Sequence, residues 1–172
     1  LDAVSAHTLR KVSIMPGACD GTFAAAQTYD AGDWAEDVVE ADFNGDGRPD
    51  VAATSGGNNA VWVYLNLGGG QLGAPPLLDA GNGPWGLAAG DLSGDGKPDL
   101  VAANNYSGTL SLFISAGDGS FAAARTLTSG GQGALDVAIG DMNRDGRSDL
   151  VVAIGSGTGA IGLFFDRGDG GF

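Results

Sequence analysis

Short apolar runs alternate with glycine- and aspartate-rich turns along the whole chain. This is the pattern of a turn-rich all-β protein. The clearest unit runs from Leu87 to Leu127. Leu87-Ala88-Ala89-Gly90 leads into a polar loop, and Leu100-Val101-Ala102-Ala103 leaves it. Thr109-Leu110-Ser111-Leu112-Phe113-Ile114 follows, and Ala123-Ala124-Arg125-Thr126-Leu127 closes the unit. The second run is nearly all apolar, as a strand buried on both faces should be. The third alternates at its start, which predicts a half-buried strand. The fourth is the most polar. In the preceding unit it carries Pro75 and Pro76, which suits an edge strand because Pro cannot donate to a ladder.

The pattern repeats. A polar nine-residue loop stands at Asp42–Asp50, Asp91–Asp99 and Asp141–Asp149, so its copies start 49 and 50 residues apart. A second marker keeps the same phase: Gly68-Gly69-Gly70-Gln71-Leu72, Gly117-Asp118-Gly119-Ser120-Phe121 and Gly168-Asp169-Gly170-Gly171-Phe172, with Cys19-Asp20-Gly21-Thr22-Phe23 before them. Gly32, Gly81 and Gly130 are a third marker, each 49 residues from the next. Four strands per period of about 50 residues is the mark of β-propeller blades. The repeats read as 1–32 (partial), 33–81, 82–130 and 131–172 (partial), with three, four, four and three strands. Leu1-Asp2-Ala3-Val4 resembles the exits of the three loops, so the first repeat reads as starting at the last Asp of a fourth loop. A ring needs at least about four blades. The chain is therefore expected to form an open arc or a fragment of a larger propeller. Its terminal blades should expose apolar segments, Val12–Met15 and Leu150–Ile154 above all.

Each loop puts oxygen-bearing side chains at positions 1, 3, 5 and 9 and Gly at position 6. A hard cation such as Ca²⁺ takes roughly 6–8 oxygen ligands. Donors on alternate residues of a tight turn can all point to one centre, and the carbonyl of position 7 adds one more. Thiol and imidazole are absent from the loops, so zinc fits poorly. An EF-hand would need Glu at position 12, where Ala53, Ala102 and Val152 stand. The alternative is three Asp/Gly turns without metal, but three carboxylates in each loop repel one another without a cation.

Composition adjusts this picture. Glycine supplies 32 of 172 residues, and the formal net charge is −13. Nine of the 21 acidic residues lie in the three loops, and adding +6 for three Ca²⁺ to −13 leaves −7. The remaining acidity speaks against nucleic acid, whose binders need basic patches. No run of about 18 apolar residues is present, so membrane insertion by a helix is not expected. Cys19 is the single cysteine and excludes an internal disulfide; it reads as a small turn residue.

The unit Ala89-Gly90-Asp91-Leu92-Ser93-Gly94-Asp95-Gly96-Lys97-Pro98-Asp99-Leu100-Val101, with Gly117-Asp118-Gly119-Ser120-Phe121, resembles the FG-GAP/VCBS-type repeat of integrin-alpha-like propellers. The resemblance covers essentially the whole chain. It implies propellers of about seven blades whose acidic loops bind Ca²⁺ between the first two strands of a blade. The implied ligands are Asp42, Asn44, Asp46, Arg48 (carbonyl) and Asp50; Asp91, Ser93, Asp95, Lys97 (carbonyl) and Asp99; and Asp141, Asn143, Asp145, Arg147 (carbonyl) and Asp149. Ser93 departs from the usual Asn or Asp and weakens the middle site. Arg144 replaces the usual Gly and puts a cation beside the third.

Other candidates carry less. Gly157 to Gly162 and Gly68 to Gly73 fit GxGxxG but open no helix, as a dinucleotide site requires. His7 is the only histidine, reads as a turn residue, and excludes a multi-histidine metal site. Asp33, Glu36, Asp37 and Glu40 cluster before the first loop, either as a solvated acidic rim or as glycosidase-type carboxylates. Trp34 and Trp85 precede the first strand of consecutive blades and are candidates for stacking on a sugar; Trp62 lies in a third strand. Asn105-Tyr106-Ser107 is a glycosylation sequon on a turn. The expectation is a calcium-binding extracellular module for adhesion or for binding carbohydrate or protein. Its partners would be a glycan, an extracellular protein, the remaining blades of a parent chain, or a second copy. Millimolar calcium outside cells suits loops of modest affinity. The rival is a secreted polysaccharide-degrading enzyme, as catalytic propeller or appended module.

Overall fold

The computed structural model describes residues 3–7, 10–18, 20–74, 76–155, 157 and 159–172. Every element among them is a strand. In the first sheet β1 (Ala3–His7), β2 (Lys11–Met15) and β3 (Gln27–Asp30) pair in that order. The second begins with β4 (Val38–Ala41), β5 (Asp50–Ser55) and β6 (Ala60–Tyr64). A small hairpin, β7 (Asn66–Gly68) with β8 (Gln71–Leu72), follows before β9 (Leu77–Asp79) pairs with β6. The third sheet holds β10 (Pro84–Gly90), β11 (Asp99–Asn104), β12 (Thr109–Phe113) and β13 (Arg125–Thr128). The fourth holds β14 (Ala134–Gly140), β15 (Asp149–Ile154) and β16 (Ala160–Phe164). All pairings are antiparallel, so each sheet is a meander of the propeller-blade kind.

The period-2 alternation of a strand explains how the blades stack. In β11, Leu100 and Ala102 join a core shared with the second blade, while Val101 and Ala103 join a core shared with the fourth. Side chains of successive residues point to opposite faces, so one strand serves two cores. This is why β5 and β11 are buried at every residue. A third core lies between the first two blades around Val12, Ile14, Val51 and Tyr64. The first strands β4, β10 and β14 run beside one another along the inside of the arc. At Gly86 β10 and β14 approach closely: a Cβ there would lie 2.5 Å from the Asp136 Cα.

Several expectations change. β12 is buried along nearly its whole length, because blades press on both of its faces. β10 starts at Pro84 and takes Trp85 into the strand. His7 ends β1 opposite Lys11 and is not a turn residue. Val12, Ile14, Leu150 and Val152, expected at exposed ends, sit inside cores. The open apolar face is on β16 instead: Ile161 is 73% exposed, while its counterpart Leu110 is fully buried. Cys19, Pro75 and the Leu1-Asp2 loop remnant lie outside the described residues, as does Thr158 of one GxGxxG stretch. The other, Gly68 to Gly73, forms a hairpin turn and opens no helix.

Candidate functional site

The three acidic loops join the first and second strands of the second, third and fourth blades, and all take the same shape. Position 1 is a hub. Asp42 Oδ1 accepts the N–H groups of Gly45 (2.8 Å) and Asp46 (3.1 Å), and Oδ2 accepts that of Gly47 (2.8 Å). Asp91 does the same with Gly94, Asp95 and Gly96, and Asp141 with Arg144, Asp145 and Gly146. The residue at position 4 has left-handed backbone in each copy, at φ 74° for Gly45, 76° for Gly94 and 65° for Arg144. Arg144 thus adopts a conformation that the other two loops give to Gly.

Position 5 faces the residue two places on. The Asp46 and Asp145 carboxylates accept the N–H and the guanidinium of Arg48 and Arg147, with side-chain contacts of 2.5 Å. Asp95 accepts the Lys97 N–H, and the Lys97 ammonium stands 3.2 Å away. At position 3, Asn44 and Asn143 donate to the same position-5 carboxylates. Donated hydrogen bonds hold Asp42, Asp95 and Asp145 below the ordinary carboxylate range; the largest cause is the N–H of Gly47, Lys97 and Arg147 respectively.

Position 9 behaves differently. Asp50, Asp99 and Asp149 are wholly buried at the start of the second strand. One oxygen of each accepts the N–H of the apolar position-2 residue, Phe43, Leu92 or Met142, at 2.9–3.0 Å. The other accepts the N–H of Asn66, Ser115 or Asp166, just past the third strand, at 2.7–2.9 Å. This Asp therefore clasps loop and third strand together. Burial pushes the Asp50 and Asp99 carboxyls above the ordinary range. Sequence reasoning missed the clasp and its donors. Their signal is a polar residue two places before the marker Gly: Asn66, Ser115 and Asp166 each accept the N–H of Gly68, Gly117 or Gly168.

The loops thus bring every predicted ligand to one edge of its blade but aim the carboxylates at N–H groups and cations. Among the described residues no three His, Cys, Asp or Glu side chains converge on one metal position. The acidic cluster before the first loop separates by role. Asp33 pairs with Arg10, Asp37 accepts the N–H groups of Val38 and Leu87, and Glu36 and Glu40 are exposed. The sequon residue Asn105 is half-buried and directs its amide at the Ala134 carbonyl of the next blade.

The tryptophans also separate. Trp62 stacks on Tyr64 at 6.3 Å and packs against the core between the first two blades. Trp85 is half-buried with its ring edge-on to Tyr106 at 6.3 Å. Trp34 is 52% exposed and Tyr106 54%.

A family model described as FG-GAP-like repeat matches residues 42–102 and 91–152, together more than half of the chain. No curated protein sequence matches it. Among solved structures it is similar to an Agrocybe aegerita lectin described as recognising non-reducing terminal N-acetylglucosamine: 26% identity, TM-score 0.61, covering 95% of this chain and 48% of the lectin. BBS1N, solved in complex with ARL6DN, is 17% identical with a TM-score of 0.63, over 93% of this chain and 48% of that one. The V. cholerae biofilm matrix protein Bap1 is 19% identical with a TM-score of 0.51, over 94% of this chain and 26% of that one. The last two likenesses concern the fold alone. The chain spans about half the length of the first two neighbours.

Proposed function

The chain belongs to the FG-GAP-like repeat family, and on that premise we propose that it is a calcium-binding β-propeller module that recognises carbohydrate outside the cell. One observation carries the metal part: an all-oxygen loop of one shape recurs at the same corner of three successive blades. The donor set fits a hard divalent cation and suits soft metals poorly. Asp42, Asn44, Asp46, Asp50 and the Arg48 carbonyl would hold one ion. Asp91, Ser93, Asp95, Asp99 and the Lys97 carbonyl would hold a second, and Asp141, Asn143, Asp145, Asp149 and the Arg147 carbonyl a third. A carboxylate has about four lone-pair sites, and the internal N–H bonds leave some of them free. When bound, the ion supplies the counter-charge that Arg48, Lys97 and Arg147 supply to position 5 without it.

Carbohydrate recognition is supported by the likeness to the N-acetylglucosamine-recognising lectin over 95% of this chain. An array of printed glycans, probed in calcium and again in chelator, tests the reading. Binding to sugars in calcium, weakened by chelator, is expected. A chain that is folded and calcium-loaded yet binds no glycan overturns it.

A further inference from the structure

At the end of the blades opposite the acidic loops, Trp34 occupies a position that the neighbouring blades give to glycine. The carbonyls of Trp34, Gly83 and Gly133 each accept the N–H of the residue just past the second strand, Gly56, Asn105 or Gly155, at 2.8–2.9 Å. The three are therefore equivalent. All have left-handed backbone, at φ 56°, 65° and 75°. Glycine adopts this conformation freely, whereas a bulky side chain is strained in it. More than half of Trp34 nevertheless stays exposed, at 52%. Of the four described non-glycine residues with positive φ, Arg10, Trp34, Asn59 and Arg144, it is the only aromatic. Strain kept at an exposed residue points to a use at the surface.

Its surroundings indicate the use. A Cβ at Gly56 would lie 3.6 Å from the Trp34 Cβ and 3.5 Å from the Pro84 carbonyl, so Trp34 shares this corner with the start of β10. Trp85 follows Pro84, and exposed Tyr106 meets its ring. A shallow open depression adjoins Trp85 and is lined also by Glu36, Asp37 and Asp136. We propose that this corner is a carbohydrate subsite in which the Trp34 indole stacks on a sugar ring, flanked by Trp85 and Tyr106, while Glu36 accepts hydrogen bonds from sugar hydroxyls. The inference rests on the carbohydrate reading above and adds the place and the class. Indole faces suit the apolar face of a sugar, and fixed aromatic rings with few polar partners are a common binding chemistry. The carboxylates here repel anions, so the sugar is neutral and not a uronic or sialic acid.

The test is the glycan array, printed with neutral and acidic glycans including N-acetylglucosamine-terminated ones, followed by calorimetry on the tightest neutral ligand. Trp34→Gly should lose affinity about tenfold or more while melting no lower than the parent, because glycine suits the backbone. Trp34→Phe should keep most of the binding, and Tyr106→Ala should weaken it. A parent that binds glycans with Trp34→Gly unimpaired overturns the subsite but not the carbohydrate reading. A lowered melting temperature in Trp34→Gly makes Trp34 a structural residue and overturns the subsite too. A parent that binds no glycan overturns both.

Discussion

The Asp37 carboxylate accepts the backbone N–H of Leu87 at 2.8 Å, across 50 residues and from one blade to the next. Its other oxygen accepts the Val38 N–H at 2.8 Å. The start of β4 is thus tied to the middle of β10. Burial pushes the Asp37 carboxyl above the ordinary range, and the negative charge of Asp136 on the fourth blade adds to this. Asp37→Ala leaves the partly buried Leu87 N–H without its acceptor, at about 1–3 kcal/mol. A lower denaturation midpoint is expected, with exchange at the Leu87 amide accelerated. An unchanged midpoint would mean that the inner strands hold together by apolar packing alone.

Asp99 is the clearest case of a predicted ligand with a second task. Its two oxygens accept the N–H groups of Leu92, Ser93 and Ser115. Asp99→Asn keeps one acceptor and turns an amide donor onto a backbone donor. The expected loss is about 2–3 kcal/mol even in chelator, where no metal effect contributes. Equal stability of the two proteins in chelator would remove the clasp.

Acid acts on the loops in two directions. The Asp42, Asp95 and Asp145 carboxyls are lowered from 3.8, so their stabilisation is complete above that value and is lost as pH falls through the lower folded value. Asp50 and Asp99 are raised above 3.8 by burial, so their ionisation costs stability as pH rises past 3.8. In chelator, melting temperature should therefore hold or rise slightly on acidification and fall only below about pH 4. With calcium the fall should begin at higher pH, because protons compete for the ligands. A decline in chelator that starts above about pH 5 would contradict this balance of carboxylates.

Much of this was readable beforehand. The 49- and 50-residue phase of Asp42, Asp91 and Asp141 gave the blades, because one strand meander is one repeat. The all-apolar run Leu100 to Ala103 announced burial on both faces. The inward turn of Asp50, Asp99 and Asp149 was not readable. It depends on N–H groups about 16 residues later, at Asn66, Ser115 and Asp166, and alternation along one strand carries no record of them. The partners of the loop carboxylates were not readable for a related reason. Backbone N–H groups and the side chains of Arg48, Lys97 and Arg147 stand against these carboxylates and supply part of their counter-charge. Exposure at Ile161 and burial at Val12 likewise follow from which face each blade turns to its neighbour, which single-strand patterns do not encode.

Calcium binding is tested most directly by calorimetric titration of the chelator-stripped chain with Ca²⁺. The account predicts about three sites, one for each loop of oxygen donors, with Mg²⁺ much weaker because it demands a smaller octahedral shell. Asp95→Ala should remove one site and leave two. Absence of binding heat from a chain that circular dichroism shows to be folded would contradict it.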